Sequence, residues 1–183
     1  MLDSTSINWS QLTAPVGITL VAVPIAFLGL WWRQTRTQNA TSVDAAWAIA
    51  IGVLGVGSAL GGDGSVVQRL IAGGLSGIWS ARLAWHLLRH RVFGHDREDG
   101  RYRAMREHWG ARANASFFWF YQAQVVAALV FAMPFWFVAN HSPDLQAVQL
   151  GGLGLWLAAQ LCEAMADHQL EAHRADPSAR GRA

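Results

Sequence analysis

Five long apolar runs, at about 12–32, 43–60, 66–88, 116–139 and 145–165, dominate this 183-residue chain and leave it few folds to choose from. A hydrocarbon core of about 30 Å takes roughly 20 apolar residues in a helix. The runs are continuous and do not alternate apolar with polar residues, which argues against strands. Pro15, Pro24 and Pro134 fall in or beside runs, and membrane helices tolerate them. Charged residues make up 14% of the chain, against roughly a quarter in soluble domains. Ten residues are Trp, which favours membrane interfaces. The fold expected is an all-α polytopic membrane helix bundle of about five spans, forming one membrane domain over 1–183.

The basic residues are all Arg, and their placement alternates. Arg33 and Arg36 follow the first run. Arg89, Arg91, Arg97, Arg101, Arg103, Arg106 and Arg112 follow the third, and Arg174, Arg180 and Arg182 follow the fifth. The N-terminal segment and the linkers 61–65 and 140–144 have none. Cytoplasmic loops carry the Arg excess. The N-terminus is therefore expected outside and the C-terminus in the cytoplasm, in a multi-pass protein of the inner (plasma) membrane. Residues 89–115 then form a cytoplasmic loop and 166–183 a cytoplasmic tail. Met1 to Ala14 has Asp3 and no basic residue, so it does not read as a cleaved signal peptide. A formal charge of +2 is too small to argue for a nucleic-acid partner.

With this orientation the strong polar groups of the runs meet in one leaflet. Asp44 opens the second run, and Arg82 and His86 close the third. Tyr121, Gln122 and Gln124 begin the fourth, and Glu163 and Asp167 end the fifth. Arg82 and His86 are four apart and share a helix face. Arg82 can snorkel to headgroups or pair inward with Asp44 or Glu163. Glu163, Asp167 and Arg174 form one stripe if their helix continues past the membrane, because eleven residues turn it through about 1,100°. Such a stripe can bind ribose hydroxyls, amides or phosphate, or be a solvated ion-paired face. The run Asp96 to Arg103 packs charges of both signs. It suits a hydrogen-bonded lid, whereas an ordinary positive-inside loop accounts for its Arg but not for Glu98, Asp99 or Tyr102. Seven His lack the adjacent pairs of membrane di-iron sites, so no metal is expected. Cys162 stands alone and reads as a packed thiol.

Four motifs stand in order from about Ser42 to the C-terminus. They are Asp44-x-x-Trp47, Arg82-Leu83-Ala84-Trp85-His86, Glu98-Asp99-x-Arg101-Tyr102 and Glu163-x-x-x-Asp167-x-Gln169. Together they resemble the bacterial uncharacterised branch of the steroid 5-alpha-reductase-like membrane family. The resemblance implies a cytosol-facing site that passes hydride from NADPH to a carbon–carbon double bond conjugated to a ketone in a hydrophobic small molecule. Asp167 matches an acidic residue that helps hold the cofactor. Glu163 matches a polar position one turn earlier, and Arg174 a phosphate-side basic residue. The Gln-Glu pair and Tyr with which steroid reductases polarise the enone are absent in that form. Asp44, Arg82, His86 and Tyr102 are the available substitutes for catalysis. Family members continue beyond the point matching Ala183 with further cofactor-binding spans, so the chain is expected to be the N-terminal portion of a longer domain. Two alternatives stay open: an S-adenosylmethionine-dependent methyltransferase of the same superfamily, and a truncated non-catalytic protein that binds lipid or a partner.

Overall fold

The computed structural model describes residues 14–94, 97–141 and 147–175. Every regular element among them is helical. Six α-helices follow in order: α1 (Ala14–Thr37), α2 (Val43–Gly61), α3 (Val66–Leu87), α4 (Gly100–Trp109), α5 (Ala113–Ala139) and α6 (Ala147–Ala175). A π-turn at Leu88–Val92 extends α3, and a 3-10 turn at Gly110–Arg112 joins α4 to α5. The chain divides into two compact units, Met1–Ser142 and Pro143–Ala183.

The five expected runs are the five long helices. The starts of the first and fifth, at 12–13 and 145–146, lie outside the described residues. Three stretches are long and apolar enough to cross a membrane: Val16–Thr37, Val43–Gly61 and Gly100–Ala139, the last containing α5. Helices α3 and α6 carry more polar residues, among them Arg69 and Arg82 on α3 and Glu163 and Asp167 on α6. Helix ends follow capping rather than membrane edges. Thus α1 runs to Thr37, where Gln38 turns left-handed at φ 52°. The expected loop 89–115 is largely helical, because Asp99 caps α4 by accepting from the Arg101 N–H at 2.9 Å.

Within the first unit α2 is central, touching α1, α3 and α5. Small residues let α2 and α3 approach. A Cβ on Gly52 or Gly55 would collide with Ser80 or Ser76, and Ser80 Oγ donates to the Ala48 carbonyl at 2.7 Å. Phe27, Ile51, Phe117 and Tyr121 fill the core. Outward-facing Ile18, Val21, Ile25, Trp119, Phe131 and Phe137 remain exposed, as a hydrocarbon-facing surface requires. Pro24 and Pro134 sit inside α1 and α5.

The connections pair at opposite ends of this unit. At the Arg-poor end, Gly64 N donates to Ala139 O at 3.0 Å and Ser65 N to His141 O at 3.2 Å. Asp63 N reaches Asn140 Oδ1 at 3.2 Å. At the other end the Arg-rich segment between α3 and α5 closes over the α1–α2 connection.

Candidate functional site

The Arg-rich end is built around Asp44, in the first turn of α2. A carboxylate there suits the positive end of the helix dipole. Its Oδ1 accepts the Tyr102 hydroxyl hydrogen bond. Its Oδ2 accepts from Arg101 Nη2 at 2.6 Å and Arg91 Nη1 at 3.2 Å. Tyr102 is 3% exposed, packed edge-on against Phe120 at 5.9 Å and tilted against Phe117 at 6.4 Å. The phenol is thus fixed by its ring on one side and by Asp44 on the other.

Asp99 braces the same cluster. Its Oδ1 also accepts from Arg101 Nε at 3.1 Å, and its backbone N–H donates to Thr41 Oγ1 at 2.8 Å. Partial burial raises the Asp99 pKa, but hydrogen bonds and charge from Arg101, with the charge of Arg91, outweigh it and leave the carboxyl below its ordinary range.

A second network stands beside the first. Glu98 forms a fork with Arg106: Oε1 accepts from Nη2 at 2.8 Å and Oε2 from Nε at 3.1 Å. Oε1 also accepts from Ala40 N at 2.9 Å. Arg106 goes on to Gln34 Oε1 at 3.1 Å and Gln38 Oε1 at 3.0 Å, and lies 4.7 Å over the Phe117 ring. Three carboxylates and three guanidiniums therefore lock the segment before and within α4 onto the α1–α2 connection.

Of the four residues assigned to catalysis, the structure brings Asp44 and Tyr102 into contact. Arg82 and His86 lie on α3 with contacts of their own, and the His86 ring lies 4.6 Å from that of His90. The oxygens of Asp44 accept from Arg91, Arg101 and Tyr102. Tyr121 Oη, Trp47 Nε1, Gln122 Nε2 and Gln34 Nε2, all in the first unit, are buried and meet no hydrogen-bond partner among the described residues. Tyr121 is fully buried on α5, against Phe27. Buried polar atoms normally find partners, so these are positions where a ligand oxygen or water would be favoured.

On α6 the less exposed stripe is Gln149, Leu153, Trp156, Gln160, Glu163 and Asp167. Glu163 and Asp167 thus share one face, and Gln160 Nε2 reaches Glu163 Oε2 at 3.4 Å. The helix continues to Ala175 and includes Arg174, whose side chain lies outside the described residues. Two neighbouring carboxylates have the acceptor chemistry that ribose hydroxyls and a carboxamide need. Cys162 is exposed, not packed; an apolar run does not reveal which of its faces is covered. Among the described residues no three His, Cys, Asp or Glu side chains converge on a metal site.

The sequence singles out Glu98 within a hydrogen-bonded lid, but not its pairing with Arg106 or the further partners Gln34 and Gln38. The cap signal at Asp99 was available, whereas Gln34 and Gln38 read as ordinary polar residues at a helix end.

The model of a protein family of unknown function, DUF1295, matches residues 30–183. No curated protein and no solved structure matches the chain.

Proposed function

The chain belongs to the DUF1295 family, and from that premise we propose that it is an integral membrane oxidoreductase of the steroid 5-alpha-reductase type. On this reading the Arg-rich end faces the cytoplasm from the inner membrane, and the substrate is a lipidic enone arriving from the bilayer. The observation that supports it most is the buried Tyr102–Asp44 hydrogen bond at the end of an apolar bundle.

Asp44, held by Arg91 and Arg101, keeps the Tyr102 proton aimed at one place. A ketone oxygen that replaces Asp44 as acceptor receives that hydrogen bond and is polarised, since preorganised donors stabilise developing oxyanion charge. Tyr121 is the other phenol of the chain, and its hydroxyl meets no acceptor among the described residues. Arg82 and His86 supply positive charge or a proton on the last turns of α3. NADPH, when bound, supplies the hydride that goes to the β carbon. Glu163 and Asp167 would hold its hydroxyl and amide donors, and Arg174 a phosphate, through charge-assisted contacts.

Titrating the purified protein in nanodiscs with NADPH, followed by Trp fluorescence, tests the assignment. Saturable quenching is expected, with affinity falling about tenfold or more in Asp167→Ala, the loss of one charged hydrogen bond. Equal affinity in that variant sinks the cofactor assignment. Quenching by S-adenosylmethionine in place of NADPH sinks the reductase reading in favour of methyl transfer.

A further inference from the structure

Arg69 sits in the first turn of α3, at the Arg-poor end and away from the site above. It reaches across to α2, donating from Nε to Ala59 O at 2.7 Å and from Nη2 to Leu60 O at 2.9 Å. A guanidinium carries five N–H donors. The other three meet no acceptor among the described residues, and a positive charge remains beside the first turn of α3.

From this guanidinium an open furrow runs along the outer seam of α2 and α3. Its first hollow, about 430 Å³, is lined by Val56, Leu60, Leu70, Gly73, Gly74 and Arg69 itself, among others. A second hollow, about 490 Å³, shares Val56 and Leu60 and continues past Gly77 and Ser80 to Ala84. The walls face outward: Leu60 is 64% exposed and Leu70 70%. From Val66 to Ala84 a helix rises about 27 Å, close to the thickness of a hydrocarbon core.

We propose that this furrow seats one phospholipid of the leaflet at the Arg-poor end, with its phosphate on Arg69 and an acyl chain along the α2–α3 seam. A planar guanidinium fork matches phosphate oxygens. The free donors lie at headgroup depth, about one helical turn inside the start of α3. The adjoining surface is apolar and long enough for a chain that crosses half the bilayer, running through the first hollow into the second. Two carbonyl bonds hold the guanidinium in place, so little ordering entropy remains to be lost when phosphate binds. The inference does not depend on the reductase reading.

Native mass spectrometry of the intact protein tests it. The probes are palmitoyl-oleoyl-phosphatidylglycerol and the diacylglycerol with the same chains and no phosphate. The variants are Arg69→Gln and Gly74→Leu. A Cβ at Gly74 meets nothing within 4 Å, so the leucine enters the furrow without disturbing the helix pair. Wild type is expected to retain one phosphatidylglycerol, with retention about fivefold lower in each variant. Diacylglycerol should be held weakly by wild type and Arg69→Gln alike. Equal retention of both lipids by wild type overturns the phosphate contact. Unchanged phosphatidylglycerol retention in Gly74→Leu overturns the furrow, and if Arg69→Gln does not fold, Gly74→Leu alone decides. A wild-type dimer that Gly74→Leu converts to monomer without loss of lipid overturns it in favour of a second copy of the chain.

Discussion

At the Arg-poor end of the first unit, Gly64 and Ser65 give their backbone N–H groups to Ala139 and His141. At the Arg-rich end the joins between connections are made with side chains: Tyr102 and Arg101 to Asp44, Arg106 to Gln34 and Gln38, and Glu98 to Ala40 N. Backbone joins close a turn whatever side chains flank it. Side-chain joins require specific residues, concentrate charge and can be opened by a competing ligand. One end of the bundle is thus joined largely through backbone and the other through side chains. The α2–α3 turn is short, closed by backbone bonds together with Asn140 Oδ1 and the Arg69 guanidinium. The α3–α5 connection is long because it must carry a network.

The sharpest way to break the contrast is to remove Glu98. Its carboxylate is 8% exposed and its partner Arg106 17%. Glu98→Ala strands the Arg106 charge and the Ala40 N–H together. Losing one partner of a buried pair costs about 3–5 kcal/mol, so this variant should lose the most stability of those considered. Denaturant titration followed by Trp fluorescence measures it. A cost below about 1 kcal/mol, the range of exposed pairs, would mean that the Arg-rich end is a solvated charge cluster and not a locked one.

The opposite end should fail for steric reasons. A Cβ on Gly64 would stand 2.6 Å from the carbonyl oxygens of both Ala139 and His141. Both are backbone atoms, which cannot swing aside as a side chain does. Gly64→Ala should cost about 1–3 kcal/mol, as overpacking does, and leave NADPH titration unchanged. Reduced cofactor affinity in this variant would show that the two ends are coupled and would erase the division between them.

Much of this division was legible in the sequence. The alternation of Arg-rich and Arg-free linkers groups the connections into two sets; among the described residues the structure joins the α2–α3 turn to the end of α5, and the α1–α2 connection to the segment around α4. Helix starts and ends agreed with the apolar runs at Val43 and Ala139. They diverged where the helix outlasts the apolar run: α1 continues to Thr37 and α6 to Ala175. The partners of Asp44 were harder to see. Arg101 and Tyr102 lie 57 and 58 residues along the chain, and a single sequence holds no register between segments so far apart. The sequence offered Arg82 and His86 as neighbours of Asp44 because they close the next run. The connection folds back over the helix ends and reaches Asp44 with its own Arg and Tyr. Gln34 and Gln38 matter for the same reason, as acceptors for an Arg106 some seventy residues away.

The smallest expected effect sharpens the comparison by acid. Asp99 is held below the ordinary carboxylate range by Arg101 and Arg91. The folded protein then binds fewer protons at this group than the unfolded chain does, so stability rises with pH across the window between the two pKa values. Its contribution is fully present above the unfolded value of about 3.9 and is lost as pH falls through the lower folded value. Protonation also removes the acceptor that caps α4 at the Arg101 N–H. Below about pH 4, amides of α4 should lose hydrogen-exchange protection, corrected for intrinsic rates, before those of Gly64 and Ser65. The backbone bonds of the latter two contain no titrating group. Asp99→Asn should remove the pH dependence of α4 while leaving the Arg-poor amides as they were. Simultaneous loss of protection at both ends would instead show a unit that opens as a whole, with no separate acid-labile cap at the Arg-rich end.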